Sequence, residues 1–324
     1  MSPAETAAAV VVGAGPAGIG AAVELARRGI RPVLLIERRE TLGGIPALYR
    51  TRPGGVPTFV LWTRGRILFG EQFAARLAAR LRGTGVEVWP ESQVIQIAPR
   101  TMTLTVINPL RGRVDLQAPA VVLACGARER TPAERGWIAG SRPGRVLFTK
   151  NLLDLAERND LRTAGRSVIL GSALLAYAAA AKLREAGAAE TVMVDRRKRP
   201  DCSLPARLYF ARWSRPAFHS AAQVRLSGRK AISGVELPDG RQLPCGRLIL
   251  SGDLAPNSEL ALMAGLAVEL PSRRPVVHAG YQLSEPGWFA AGNMLGGSRG
   301  AEWCYRNGVR VAACVAHYLS GAPG

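Results

Sequence analysis

Apolar positions near the start of the chain fall in short unbroken runs rather than in alternation. Residues 8–12 (Ala-Ala-Val-Val-Val) and 33–36 (Val-Leu-Leu-Ile) read as strands covered on both faces, as in the middle of a parallel sheet. Between them Ala21, Ala22, Leu25 and Ala26 recur at helical spacing, and Gly29 stands where a helix C-cap is expected. Glu37 closes the second strand. The same order returns after residue 140: a buried run at 167–171, a helical pattern at 174–185 stopped by Gly187, and a strand at 192–195 ending in Asp195. The chain therefore contains an internal repeat of strand, glycine turn, helix, strand and acid.

The rest of the pattern fills in around these two units. Residues 71–81 space Phe73, Leu77 and Leu81 as one helix face, 86–88 is a short strand, and 94–97, 102–107 and 113–116 read as an antiparallel meander. Residues 120–126 form another buried strand ending in glycine, and 152–158 a helix. Short strands are expected at 222–226, 231–237 and 248–252, with Pro238-Asp239-Gly240 as a turn. A strand ends in Trp288-Phe289-Ala290-Ala291-Gly292-Asn293, and 301–319 is a helix with Val309, Ala312, Ala313 and Ala316 on one face. Residues 38–70, rich in Pro and Gly and holding Tyr49, Phe59, Trp62 and Phe69, show no period and read as a long functional loop. Alternating buried strands and helices predict an α/β fold of two Rossmann-like three-layer domains.

The first turn carries the chemistry. Gly13-Ala14-Gly15-Pro16-Ala17-Gly18 is GxGxxG between a strand and a helix. Gly13 suits the tight turn, Gly15 lets a pyrophosphate reach the backbone, and Gly18 lets helix and strand pack closely. The helix end offers N–H groups and a positive dipole to phosphate. Glu37 lies where an acid meets ribose hydroxyls. In the repeat the turn reads Gly171-Ser172-Ala173-Leu174-Leu175-Ala176, which keeps only the first glycine and leaves NAD(P) binding there open. Arg196, Arg197, Lys198 and Arg199 follow Asp195 and could meet a 2′-phosphate.

Composition narrows the class. At 324 residues and 48% hydrophobic the chain is globular and long enough for two domains. No run approaches a membrane span and no basic leader precedes the first strand, so a cytoplasmic protein is expected. The net charge of +19 comes from scattered arginines without a nucleic-acid signature; a compositional drift toward Arg and Ala accounts for it, and a basic face for an acidic partner subunit or substrate is the alternative. Cys125, Cys202, Cys245, Cys304 and Cys314 show neither CxxC nor zinc spacing, and no metal site is expected.

Gly13 to Gly18 with Glu37, the corner Ala124-Cys125-Gly126, residues 255–260 and the stretch Trp288 to Asn293 resemble the two-dinucleotide-binding-domain flavoproteins, in the thioredoxin-reductase-like branch. Within it, Leu42-Gly43-Gly44-Ile45-Pro46, Cys125-Gly126-Ala127-Arg128-Glu129-Arg130-Thr131-Pro132, and residues 290–295 with Glu302-Trp303 resemble the flavoprotein subunits of hydrogen cyanide synthase, opine oxidase and heteromeric proline or sarcosine dehydrogenases. The resemblance implies an FAD domain at 1–135 and 247–324, with an NAD(P)-binding-like domain at 136–246 inserted in it. It implies FAD held by Gly13, Gly15, Pro16, Ala17, Gly18, Glu37, Arg38, Gly44, Val94, Ala124, Gly126, Gly292, Asn293, Ala301, Glu302 and Trp303. Oxidation of an amine or amino acid at a C–N bond, beside a partner subunit, is the activity it implies. Glu302, Arg299 and His278 are the candidates for chemistry, and Tyr49, Trp62 and Arg64 for the substrate side; no catalytic residue is assigned. The missing dithiol argues against a thiol relay. Two other readings stay open: an NAD(P)H-dependent flavin reductase without a dithiol, and a non-catalytic subunit in which flavin is structural.

Overall fold

The computed structural model describes residues 4–49, 60–63, 66–157 and 165–321. In chain order its main elements are β1 (Ala9–Val12), α1 (Pro16–Arg27), β2 (Val33–Ile36), β3 (Glu87–Trp89), β4 (Val121–Leu123), β5 (Val146–Phe148), α2 (Thr149–Glu157), β6 (Arg166–Leu170), α3 (Leu174–Glu185), β7 (Glu190–Asp195), α4 (Leu204–Phe210), β8 (Ala217–Ser220), β9 (Arg247–Leu250), β10 (Trp288–Ala290) and α5 (Ala301–Leu319). The chain gathers into two compact units: Met1–Ala47, Gln72–Arg128 and Ala255–Gly324 form one, Leu48–Glu71 and Glu129–Leu254 the other. The first unit is thus interrupted, and residues 48–71 group with the second.

In the first unit five parallel strands run in the order β10, β4, β1, β2, β3. Side chains alternate across such strands, so Val10, Val12, Leu34, Ile36, Val121 and Leu123 all face one way. They pack on Val94, Ile97, Leu104, Val106 and Leu116 of a small sheet built from Glu5–Thr6, Gln93–Ala98, Thr103–Asn108 and Gly112–Gln117. Helices α1 and α5 pack together and against the strands. They touch at backbone distance: a Cβ on Gly308 would fall on the Ala17 carbonyl oxygen, and one on Gly20 on the Tyr305 carbonyl oxygen. The result is a three-layer unit, and the expected meander is its outer sheet.

The second unit repeats the plan. Its parallel sheet runs β5, β9, β6, β7, β8. Val168, Leu170, Val192, Val194, Leu248 and Leu250 face a second sheet of Ile138–Gly140, Val224–Ser227, Gly234–Glu236 and Gln242–Pro244. Ile169, Met193 and Ile249 face the other way, onto Leu152, Leu153 and the alanines of α3. The expected α/β fold with two Rossmann-like three-layer domains is what forms.

Local departures have local causes. Residues expected to be one irregular loop include the turn Ile45–Leu48 and an antiparallel pair, Val60–Thr63 with Arg66–Phe69, too short to set a hydrophobic period visible in sequence. Helix α4 has no counterpart among the expected elements, because it lacks a clear apolar stripe: Leu204 and Leu208 are exposed. Among the described residues no helix is long and apolar enough to cross a membrane.

Candidate functional site

The turn after β1 is built as the glycine spacing requires. Gly13 has φ +104°, and its N–H donates to the Ile36 carbonyl at 2.8 Å; a Cβ there would press on the Ala124 carbonyl oxygen at 2.6 Å. A Cβ on Gly18 would fall on Gly13's own carbonyl oxygen, which closes helix onto turn. Gly15 is the N-cap of α1 (φ −75°, ψ −178°), has no side chain to cap the helix, and is followed by Pro16 at the first helical position. The N–H groups of Ala17 and Gly18 therefore lack intrahelical acceptors, at the positive end of the helix.

Gly15 differs from its neighbours in one respect. A Cβ built on it meets nothing nearer than the Gly44 Cα, 3.9 Å away, so its missing side chain leaves room rather than relieving a clash. Gly44 approaches from the other side: a Cβ on Gly44 would lie 2.9 Å from the Gly15 Cα. The Gly43 N–H holds that approach by donating to the Ala14 carbonyl at 2.8 Å. An open cradle lined by backbone, under an uncapped helix end, fits a pyrophosphate.

Glu37 is buried, and its carboxylate accepts from the Ala14 N–H at 2.8 Å and the Arg39 N–H at 3.0 Å. The acid is thereby fixed to the turn itself, with lone pairs left over for further donors. Arg38 is exposed, and its guanidinium is near enough to the Cys125 thiol to oppose the effect of burial, which pushes that thiol up to about 12. Val94 is buried in the core between the two sheets. The corner Ala124-Cys125-Gly126 is held by Asn257, whose Nδ2 donates to the Cys125 carbonyl at 2.8 Å and whose N–H donates to the Gly126 carbonyl at 3.0 Å.

The late motif comes back to the early one. Gly292 has φ +72°, and a Cβ there would lie 2.7 Å from the Ala17 Cβ, so residues 275 positions apart in sequence meet at the start of α1. The Gly292 N–H donates to Asn307 Oδ1 at 2.7 Å, a buried bond from α5. Asn293, expected to face the cofactor, spends both ends of its amide on Arg299: Nδ2 donates to the Arg299 carbonyl at 3.2 Å and Oδ1 accepts the Arg299 N–H at 2.9 Å. That ring closes the glycine-rich approach to α5, whose N-cap, Gly300, offers no side chain either.

Of the candidates for chemistry, Glu302 lies in the first turn of α5 and is paired with Arg306 at 2.6 Å. The exposed Arg299 lies over the Trp303 ring, 5.4 Å from its centroid, and Ala301 opens the helix. His278 is exposed. Tyr49 is 3% exposed, in the core of the second unit with Leu152, Leu153 and Tyr177, and burial pushes its hydroxyl well above the usual tyrosine range. Trp62 stands in the strand Val60–Thr63, its side chain outside the described residues, as is Arg64. All five cysteines are free, and burial holds Cys304 up at about 11, far from a thiolate at neutral pH.

Asn257 and Asn307 are two polar residues that fasten the loops of the first unit: the first lies in the stretch 255–260 that carries the resemblance, with no role read from it, and the second sits outside any motif, so its contact alone gives it away. Sequence reasoning passed over Arg135, three residues beyond the marker Thr131-Pro132. Thr131 and Glu134 form a capping box, with the Thr131 N–H donating to Glu134 Oε2 at 2.9 Å and the Glu134 N–H donating to Thr131 Oγ1 at 3.3 Å. That short turn buries Arg135 in the second unit.

A family model described as pyridine nucleotide-disulphide oxidoreductase matches residues 7–312. An opine oxidase subunit of Rhizobium meliloti (strain 1021) is 33% identical over 189 residues, 58% of this chain and 38% of that protein, so the matched stretch spans well under half of the relative. Thioredoxin reductase of T. acidophilum shares the fold at a TM-score of 0.73 and 18% identity, over 98% of this chain and 99% of that one. L-proline dehydrogenase from P. horikoshii does so at 0.69 and 18%, over 100% of this chain and 58% of that one.

Proposed function

The chain belongs to the pyridine nucleotide-disulphide oxidoreductase family and is an FAD-dependent oxidoreductase; from that premise we propose that it is the flavin subunit of an amine or amino-acid dehydrogenase or oxidase, acting at a C–N bond. The observation that carries the flavin part of the reading is the open Gly15 cradle, with Glu37 fixed beside it and Gly292 brought to Ala17. Support for the substrate class is the similarity to an opine oxidase subunit. That relative is one component of a larger enzyme by name, which also supports a partner for this chain, and a net charge of +19 suits an acidic one. A reducing cytoplasm suits five unbonded cysteines.

When bound, FAD supplies the two-electron acceptor for the hydride that leaves the substrate carbon. The chain's own residues bind and orient it. Gly13, Gly15 and Gly44 would give a pyrophosphate access to the backbone, and the N–H groups of Ala17 and Gly18 behind Pro16 would donate to it. Glu37 would take ribose hydroxyls; Arg38, the Val94 backbone, Ala124 and Gly126 are the other residues of the first unit that would hold the group, the Val94 side chain being spent on the core. Gly292 and Asn293 shape the approach to α5, and the helix end at Ala301, Glu302 and Trp303 offers N–H groups and a positive dipole to negative charge on the ring system. Cys304, buried and protonated, packs rather than relays.

Anaerobic titration of the purified flavoprotein with secondary amines, amino acids and imino acids tests the assignment. Bleaching of the flavin band by at least one of them is expected. Bleaching by NADPH alone, with every amine inert, sinks the reading in favour of a nucleotide-driven reductase; flavin that no donor reduces favours a structural role.

A further inference from the structure

The two glycine turns have the same backbone. Gly171 has φ +123° where Gly13 has +104°; its N–H donates to the Val194 carbonyl at 2.8 Å, as Gly13's does to Ile36 at 2.8 Å. Ala173, the N-cap of α3, has φ −70° and ψ 173°, against −75° and −178° for Gly15 in the same role. The strands beyond match as well, with the Ser251 N–H donating to Leu170 at 2.9 Å and the Ala124 N–H to Val12 at 2.8 Å. Whatever separates the two turns in function lies in their side chains.

Three groups of the second unit lie where a dinucleotide would bind. Ala173 puts a methyl where Gly15 leaves room, and a Cβ on Gly252 would lie 3.6 Å from it, so the methyl faces the loop after β9. Asp195, the acid at the end of β7, is 4% exposed and is bonded to a side chain of the turn where Glu37 takes a backbone N–H. Ser172 Oγ donates to its Oδ2 at 2.6 Å, while its Oδ1 accepts the Arg197 N–H at 3.0 Å and lies 3.5 Å from Arg197 Nη1. Ser172 Oγ in turn accepts the Asp201 N–H at 3.0 Å, which ties the loop after β7 across the turn. Arg197, one of the four basic residues suited to a 2′-phosphate, also pairs with Asp201 at 3.3 Å.

Arg135 completes the closure. Arg135 is 5% exposed, and its guanidinium lies at the carboxyl ends of β6 and β9, donating to the carbonyls of Leu170 (3.2 Å), Ser251 (3.2 Å) and Gly252 (2.9 Å), while its Nε donates to the Arg130 carbonyl at 3.1 Å. The crevice outside adjacent strand ends is where open α/β sheets take ligands. Here it holds a side chain of the protein.

We propose that the second unit is a dinucleotide fold closed by its own residues, with Ala173, the Ser172–Asp195 pair and Arg135 excluding NADH and NADPH, so that electrons reach the flavin from the organic substrate alone. The proposal deepens the functional reading above and rests on it for the word substrate, but its test is a binding measurement. Flavin-loaded full-length protein is titrated with NADH and NADPH by equilibrium dialysis, alongside a Ser172→Gly/Ala173→Gly double variant whose retained flavin reports an intact first unit. No saturable binding by the unaltered protein is expected up to about 1 mM, and a gain of at least about tenfold in the double variant. Saturable binding of either nucleotide to the unaltered protein overturns the proposal, and a double variant that retains flavin but gains nothing overturns the assignment to the turn. Amine titration of the same preparation keeps the two readings apart: inert amines with no nucleotide binding defeat the substrate class and leave the closure standing, whereas active amines with tight NADPH binding do the reverse.

Discussion

At Gly15 the missing side chain leaves room that the packing of the fold does not require. Its φ is open to any residue, and a methyl would touch only the Gly44 Cα at 3.9 Å. Gly15→Ala is therefore expected to melt within about 0.5 kcal/mol of the parent, as an uncrowded substitution does, while losing at least about tenfold in FAD affinity by crowding the pyrophosphate. The ratio of flavin absorbance to protein after gel filtration, read beside a thermal melt, checks both halves; a variant that keeps full flavin removes the cradle from the site. Gly13 and Gly18 would behave differently, since their substitutions strike backbone first. Ala173 is the natural form of that same experiment, in the second turn.

Between elements, the contact that positions the cradle is the crossing of α1 and α5. Gly308 and Gly20 let the two backbones touch, and Asn307 reaches from the same stretch of α5 to the Gly292 N–H. A side chain at Gly308 must push α5 off Ala17, and with it the turn at Gly292. Gly308→Leu is expected to cost about 1–3 kcal/mol as overpacking, and to release flavin well below its own melting temperature. Differential scanning calorimetry with flavin fluorescence reads the two events separately; coincident events at the parental temperature would show that α5 does not position the cradle.

On the scale of the whole molecule, a buried carboxyl gives the stability of the second unit a pH dependence. Glu129 is raised above the usual carboxylate range by burial, against the opposing effects of Thr149, the Lys150 N–H and Arg135. A carboxyl whose folded value exceeds its unfolded value binds more protons when folded. It therefore costs stability as pH rises through the interval between the two values, and the cost persists above it. Replacing it with Gln keeps the shape and removes the titration. The urea midpoint of Glu129→Gln relative to the parent is expected to improve as pH rises above the ordinary carboxylate range; a difference that is flat with pH would assign Glu129 another role.

Much of this molecule could be read without coordinates. Unbroken apolar runs at 8–12, 33–36, 167–171 and 192–195 require strands covered on both faces, and glycine spacing between strand and helix requires a phosphate-type turn, because both are local demands of sterics and burial. The fold class, the first turn and its acid follow from that. The long stretch 38–70 was less legible, because an antiparallel pair of four-residue strands carries too few positions to set a period. Tyr49 was legible only as an aromatic residue in a glycine-rich loop, and its burial in the second unit's core depends on partners far off in the chain. Tertiary structure alone decided that Gly292 meets Ala17, that Asn257 and Asn307 fasten the loops, and that Arg135 enters the crevice above β6 and β9. These are pairings across 15 to 275 positions, and no periodicity along a chain encodes which distant polar group will find which backbone. The sequence determined that there are two turns of one design and that the second lacks the later glycines; the packing of distant side chains decided that Asp195 is tied to Ser172 and that Arg135 fills the crevice beside it.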